Sequence, residues 1–217
     1  MLEQVQDIVP KHVSCIYVRQ TEALGLGHAI LCARPVVGNA PFAVILADDL
    51  IDGNPPVMKQ MVDVYARERC SLLAVQTVAR EETSSYGIVK TDKTEQGERG
   101  MHRITGIVEK PRPENAPSNL AVVGRYVLTP EIFEHLERVK PGASGEIQLT
   151  DGIAALLNEH RALAYEFQGV RHDCGSKLGY LQANVLYALR HPEIGNDFSA
   201  FLDSLRPKAN KPRSNAG

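Results

Sequence analysis

Short apolar runs of strand-like composition alternate with segments of helical periodicity along most of this chain. The pattern predicts strands at residues 13–18, 42–47, 71–78, 86–91, 104–109, 121–128 and 164–167, and helices at residues 27–34, 55–69, 130–136, 149–158 and 177–190. Such alternation favours an α/β sandwich in which helices cover a largely parallel sheet. The polar, glycine-containing connector at residues 91–101 predicts a hairpin, so the sheet should be mixed.

Two of the predicted helices carry apolar stripes, and we expect both stripes to lie in the core. The stripes are formed by Val57, Met61, Val64 and Tyr65, and by Leu178, Leu181, Val185 and Leu189. A chain of 217 residues suffices for one domain, and its polar end, residues 206–217, is predicted to be a disordered tail.

Charge and cysteine content exclude several classes of protein. The net charge is −2 with both signs interspersed, so neither nucleic acid nor an anionic membrane is predicted as a partner. The apolar runs are far shorter than the roughly 20 residues of a membrane-spanning helix. The cysteines are far apart, with no CxxC pair, which predicts reduced and mostly buried thiols in a cytoplasmic protein. They are Cys15, Cys32, Cys70 and Cys174.

The segment FAVILADDL, residues 42–50, ends an apolar run abruptly in Asp48 and Asp49. The run predicts a central strand buried on both faces. Because ligands of open α/β sheets gather at the carboxyl ends of strands, a metal-binding acid is expected here. The alternative is that one aspartate only caps the turn after the strand.

A second acid, Asp173, follows a short β-type run in VRHDCGS, residues 170–176. Carboxylates from two strand ends would suit Mg²⁺, which is usually held by one or two carboxylates together with phosphate oxygens. The alternative is that Asp173 or Ser176 caps the helix that follows.

Four further positions carry weaker signals. Glu109 and Lys110, in GIVEKP, could bind hydroxyls and phosphate if the strand bends at its end, or could form an ordinary exposed ion pair. Gly87 and Gly124 lie inside β-type runs, where a glycine marks either a close ligand or a bulge.

The segment RQTEALGLGHAI, residues 19–30, is either a nucleotide-binding turn or a plain loop between a strand and a helix. On its own it decides neither. His28 and His172 are expected to pack or cap. The histidines show no HxxxH spacing, so zinc is not predicted, and the chain has no GxSxG, P-loop or full GxGxxG motif.

Seven segments, read in order, resemble those of bacterial UTP–glucose-1-phosphate uridylyltransferases: YVRQTEALGLGHAI, FAVILADDLI, SSYGIV, IVEKP, AVVGRYVL, SGEIQLTD and HDCGSKLGY. The resemblance runs in register from about residue 1 to about residue 195. It implies a nucleotide-diphospho-sugar transferase fold, a Rossmann-like α/β/α sandwich with a mixed sheet that lacks the first βα unit. It also implies a catalytic domain at residues 1–195, followed by a C-terminal helix and tail at 196–217.

The resemblance implies site roles as well. Gln20 and Gly25 would face the pyrimidine base, and Asp48 and Asp173 would hold Mg²⁺, whereas the role of Asp49 stays open. For the sugar phosphate, the implied residues are Gly87 and Glu109 at the glucose hydroxyls, Lys110 at the phosphate and Gly124 along the sugar pocket. The implied catalytic residues are Asp48, Lys110 and Asp173.

The implied reaction joins UTP and glucose 1-phosphate into UDP-glucose and pyrophosphate, in a cytoplasmic homo-oligomer (a dimer or tetramer). The alternatives are another sugar-phosphate nucleotidyltransferase, such as a thymidylyltransferase, and a non-enzymatic remnant that binds sugar nucleotides. A glycosyltransferase with a DxD motif is disfavoured because the pair reads DDL.

Such relatives begin with a βα unit whose glycine-rich loop, of the form GxGTRxxPxTK, grips the triphosphate. The chain contains no such segment. We therefore expect a truncated product with reduced stability and negligible turnover on its own.

Overall fold

The computed structural model describes residues 10, 12–96, 100–142 and 145–205. Six strands form the main sheet, namely β1 (Phe42–Ile45), β3 (Ser71–Thr77), β4 (Gly87–Gln96), β5 (Met101–Glu109), β6 (Leu120–Leu128) and β7 (Ala162–Glu166), in the order β1-β6-β3-β7-β5-β4. A separate ribbon pairs β2 (Asp49–Asp52) with β8 (Val170–Asp173). The sequence did not predict β2 as a strand.

Six α-helices accompany these strands within the described residues. They are α1 (Gly25–Val37), α2 (Val57–Glu68), α3 (Ile132–Arg138), α4 (Leu149–Leu156), α5 (Lys177–Arg190) and α6 (Gly195–Leu205). The first five confirm the predicted helices, and the predicted tail at residues 206–217 lies outside the described residues. No helix that the structure describes is long and apolar enough to cross a bilayer.

The sheet is mixed, as predicted, but it is not largely parallel. Strands β3 and β7 run parallel, whereas β6 is antiparallel to both of its main neighbours, β1 and β3. The predicted hairpin is confirmed, because β4 and β5 pair antiparallel with Gly87 opposite Glu109. Its connector is shorter than predicted, since β4 continues to Gln96.

Strand β3 shows how the two faces of the sheet are covered. Leu73 and Val75 pack in one apolar cluster with side chains of α1, α3 and α4, whereas Leu72 and Ala74 pack in another with side chains of α2. This alternation is the period-two pattern of a strand buried on both faces. The fold is therefore the predicted three-layer α/β/α sandwich, with the apolar stripe of α2 in the core.

Three local predictions about burial and strand position are wrong. Residues 13–18 form no strand, and Tyr17 is 94% exposed, because no described strand lies beside them to share hydrogen bonds. Strand β1 is an edge strand with one face covered, so Ile45 is exposed. Of the four cysteines, all free thiols, Cys70 is buried and Cys15 is exposed.

The apolar stripe predicted on α5 is also not a core stripe. Leu178 and Leu181 are 67% and 59% exposed, and Ala183 is the buried residue of the helix. The reason is that α5 packs against β8 and α6 rather than on the main sheet. Periodicity identified the apolar face of this helix but could not say whether anything covers it.

Candidate active site

A cleft of about 320 Å³ opens where β4, β5 and β6 meet the β2–β8 ribbon and the N-termini of α1 and α4. Its lining includes the following residues singled out in the sequence: Gly25, Asp48, Asp49, Gly87, Glu109, Lys110, Gly124 and Asp173. Gln20 contacts Gly25 at its edge. The fold thus gathers positions that are up to about 150 residues apart in the chain.

The turn into α1 is held in place by its backbone. Gly25 has φ +87°, and a Cβ on it would lie 2.9 Å from the Cβ of Glu146. Gly27 N–H donates to Ile147 O at 2.9 Å, which anchors the turn to the segment before α4. Gly25 therefore permits both the left-handed backbone conformation and the close approach of the α1 turn to the segment before α4. The Gln20 side chain donates to the Gly25 carbonyl at 3.1 Å, so it shares this fixed position.

The β2–β8 ribbon brings the two predicted metal ligands together. Cys174 N–H donates to Asp48 O at 2.8 Å, which ties the end of β8 to the residue before β2. A Cβ on Gly175 would lie 3.1 Å from Asp48 Oδ2 and 3.2 Å from Asp173 Oδ1. The two carboxylates therefore flank one small space that the absent side chain leaves open. This donor set fits Mg²⁺, which accepts one or two carboxylates beside phosphate oxygens.

Asp49 has a different environment from its neighbour Asp48. It is 5% exposed; one carboxylate oxygen accepts from Gly124 N–H, and the other forms an ion pair with the guanidinium of Arg171. Asp48, in contrast, is exposed. Asp49 therefore belongs to the cleft wall, where it is held by its contacts with Gly124 and Arg171.

Arg171 connects Asp49 to Tyr86. Its guanidinium donates to the Tyr86 hydroxyl at 3.2 Å and lies 5.2 Å from the centre of the ring. Burial alone would lower the pKa of Arg171, but the hydrogen bonds to Tyr86 and Asp49 and the charge of Asp49 outweigh it, so the pKa is raised. Arg171 stays charged, and it fixes Tyr86 next to Gly87.

Glu109 and Lys110 both line the cleft because the chain bends between them. Lys110 has φ +43°, an uncommon value for a residue other than glycine, and its N–H donates to Tyr86 O at 3.0 Å. The predicted bend at the strand end is therefore present. Thr150 Oγ1 donates to Glu109 Oε2 at 3.0 Å, and Lys110 Nζ lies 3.6 Å from Glu109 Oε1.

The two glycines inside strands are places of close approach. A Cβ on Gly87 would lie 2.8 Å from Thr150 Cγ2. A Cβ on Gly124 would lie 2.7 Å from Leu46 Cβ and 2.8 Å from Asp49 Oδ2. Both glycines line the cleft, but the contacts that exclude a side chain come from the protein itself.

The structure also decides among the capping and packing alternatives. Ser176, not Asp173, is the N-cap of α5, and its hydroxyl accepts from Gly179 N–H at 3.0 Å. His172 is buried and packs edge-on against Tyr187, as predicted. His28 instead lies with its Nδ1 2.9 Å from the amide nitrogen of Gln20.

One further group of possible metal ligands occurs among the residues that the structure describes. His135, Glu159 and His160 place ligand atoms within 4.8 Å of one another. They lie near the C-terminal end of α4, whereas the N-terminal end of that helix faces the cleft. This group is therefore separate from the carboxylates of the cleft.

Sequence reasoning missed two residues that organise the cleft, Arg171 and Thr150. A signal for Arg171 was present, because in VRHD it lies two residues before Asp173 and so on the same face of a strand. Thr150, in QLTD, carried no such signal, since its contact with Glu109 spans 41 residues.

The fold is a three-layer α/β/α sandwich, and its mixed sheet places paired carboxylates, a lysine and an amide around one cleft. This arrangement is typical of the nucleotidyltransferase class. In agreement, the nucleotidyl transferase family matches residues 1–189. A UTP–glucose-1-phosphate uridylyltransferase from Staphylococcus epidermidis is 44% identical over 205 residues, which cover 94% of this chain and 70% of the relative.

Solved structures agree with this relationship. A UTP-bound UGPase from Acinetobacter baumannii superposes with a TM-score of 0.85 at 43% identity, covering 94% of this chain and 70% of that one. A UDP-glucose pyrophosphorylase complexed with UDP-glucose gives 0.77 at 48% identity, covering 81% and 66%. The chain belongs to the nucleotidyl transferase family and, within it, to the UTP–glucose-1-phosphate uridylyltransferases. It spans about two thirds of the length of these relatives.

Proposed function

We propose that the cleft binds UTP and glucose 1-phosphate and transfers the uridylyl group, giving UDP-glucose and pyrophosphate. The observation that carries the proposal is the pairing of Asp48 and Asp173 around the space above Gly175, on the same cleft as Glu109 and Lys110. A divalent cation and a sugar phosphate would then meet in one place. The family relationship supplies the identity of the substrates.

Asp48 and Asp173 would hold Mg²⁺ through their carboxylate oxygens. When bound, the ion would neutralise charge on the nucleotide phosphates during transfer. Asp49 would not contribute, because both of its oxygens are already engaged by Gly124 and Arg171.

Glu109 and Lys110 would bind the two ends of glucose 1-phosphate. The carboxylate of Glu109 is held by Thr150 through Oε2, and an ionised carboxylate can accept further hydrogen bonds from sugar hydroxyls. Lys110 is 59% exposed at its side chain, so its ammonium can reach a phosphate. Gly87 and Gly124 also line the cleft and have no side chain that would take up space for the sugar.

Gln20 and Gly25 would receive the pyrimidine base at the start of α1. The phosphate oxygen of glucose 1-phosphate would attack the α-phosphorus of UTP while pyrophosphate leaves. Such a transfer needs alignment of the reactants and neutralisation of charge rather than covalent participation by the protein. The protein side chains of the cleft supply those two functions.

Two further aspects belong to the proposal. A cytoplasmic location is supported by four free thiols, which persist in a reducing compartment. A homo-oligomer is supported by exposed apolar side chains on α5 and α6, such as Leu181 and Phe201 at 59% and 54% exposure. Light scattering of the purified chain would test the assembly.

The function is tested by calorimetric binding of UDP-glucose with Mg²⁺, and formation of UDP-glucose from UTP and glucose 1-phosphate is followed on the same preparation. Binding decides the test, because the sequence predicts negligible turnover for the chain on its own. Asp173→Asn should remove the Mg²⁺ dependence of binding. Asp63→Asn is the matched control, because Asp63 is an exposed carboxylate on α2 that pairs with Lys59. A folded protein that binds no UDP-glucose, or an Asp173→Asn variant that behaves like the control, would refute the proposal.

A further inference from the structure

The side-chain amide of Gln20 has a fixed orientation. Its nitrogen lies 3.1 Å from the carbonyl oxygen of Gly25. A carbonyl oxygen can only accept a hydrogen bond, so the atom facing it must be the NH₂ group and not the amide oxygen. The backbone of the α1 turn therefore fixes the orientation of the amide, with its NH₂ group facing the Gly25 carbonyl.

His28 occupies the second hydrogen of the same amide. Its Nδ1 lies 2.9 Å from Gln20 Nε2, and its Nε2 lies 3.8 Å from Cys32 Sγ. Because the NH₂ group donates, Nδ1 must accept, and the ring proton must then reside on Nε2, facing the sulfur. His28 is in the first turns of α1, so its position is set by the helix.

With both hydrogens engaged, the oxygen of Gln20 is the atom left for a ligand. We propose that His28 is a positioning residue that presents Gln20 Oε1 as a hydrogen-bond acceptor to the base. The inference rests on the proposed function, in which Gln20 faces the pyrimidine. It goes beyond it by assigning the direction of the hydrogen bond and the residue that sets it.

This direction selects between pyrimidines. Uracil carries N–H at ring position 3 and can donate to the oxygen, whereas cytosine carries an unprotonated nitrogen there and would face it with a second acceptor. A polar group of a binding site left without its partner lowers affinity substantially. Uridine nucleotides should therefore bind better than cytidine nucleotides, and this preference should depend on His28.

The test is calorimetric titration of UDP and CDP into the full chain and three variants. His28→Leu removes the acceptor for the Gln20 amide at similar volume. His28→Asn keeps an acceptor oxygen near the position of Nδ1. His160→Leu is the control, because His160 is an exposed histidine after α4.

We expect the unsubstituted chain and His160→Leu to prefer UDP to CDP. In His28→Leu the ratio of the two affinities should fall by roughly tenfold or more, mainly through weaker UDP binding, and His28→Asn should recover most of it. An unchanged ratio in His28→Leu, or no recovery in His28→Asn, would overturn the inference. Absence of any nucleotide binding by the unsubstituted chain would overturn the proposed function and the inference with it.

A second measurement needs neither a variant nor a ligand. Nitrogen chemical shifts of the histidine ring distinguish the two neutral tautomers. The contacts require an unprotonated Nδ1 and a protonated Nε2 in His28. The opposite tautomer would overturn the inference even if His28→Leu failed to fold.

Discussion

Asp48 and Asp49 are adjacent carboxylates, and substituting each by asparagine should separate metal binding from stability. Asp49→Asn removes the charge that faces Arg171, and the two side chains are only 6% and 10% exposed. Breaking a buried ion pair by removing one partner costs about 3–5 kcal/mol, because the other charge is left uncompensated in a poorly solvated place. Asp48→Asn changes an exposed side chain, so its effect should stay within about 0.5 kcal/mol.

These free energies convert into a measurable difference in melting temperature. For a domain of this size, 1 kcal/mol shifts Tm by roughly 2–4 °C, so Asp49→Asn should lower Tm by roughly 6–20 °C. Urea unfolding followed by far-UV circular dichroism gives the free energy of unfolding directly. A titration with Mg²⁺ and UDP-glucose on the same samples reports the ligand site.

The expected pattern is a crossover between the two variants. Asp49→Asn should be strongly destabilised yet, where it is folded, still respond to Mg²⁺. Asp48→Asn should be as stable as the parent yet lose that response. Equal stability of Asp49→Asn and the parent would refute the assignment of Asp49 to the cleft wall. A normal Mg²⁺ response in Asp48→Asn would refute the metal assignment.

Three other substitutions or reactions probe separate parts of the site and core. Gly124→Ala places a Cβ 2.8 Å from Asp49 Oδ2, and urea unfolding should show a loss of roughly 1–3 kcal/mol; a loss below 0.5 kcal/mol, on the scale of a surface substitution, would contradict this. Thr150→Val removes the hydroxyl that donates to the carboxylate at the end of β5, and calorimetry should show weaker sugar-phosphate binding with little change in stability. Burial raises the pKa of the Cys70 thiol, so a thiol reagent at mildly alkaline pH should label exposed Cys15 first, and Cys70 only after unfolding, as read by mass spectrometry.

Local pattern predicted the elements of this fold well, and their environments less well. The bounds of α5 follow from Ser176 as N-cap, and the apolar stripe of α2 lies in the core. The similar stripe on α5 is exposed, because periodicity identifies a face of a helix but not the surface that will cover it. Strand β1 was misplaced for the same reason: an all-apolar run does not reveal that β6 inserts between it and β3.

Local sequence pattern was likewise only partly sufficient to predict the residues of the candidate site. Acids at strand ends were found from sequence, since a carboxylate after an apolar run is a local signal. The supporting contacts of Arg171 and Thr150 span 122 and 41 residues. The spacing of Arg171 from Asp173 indicates which face of the strand it occupies, but no local pattern identifies the partner of either residue. Sequence therefore predicted acids that line the cleft, and missed Arg171 and Thr150, which contact Asp49 and Glu109.

The register of the β2–β8 ribbon explains why one of the neighbouring aspartates is structural. Asp49 lies directly opposite Asp173 in the antiparallel pair, and side chains that face each other in this way point to the same side. Two like charges in that arrangement repel. Arg171 lies two residues before Asp173, on the same side, and its guanidinium forms an ion pair with Asp49. Under the proposed function, the ribbon would then offer a cation two carboxylates, those of Asp48 and Asp173, rather than three.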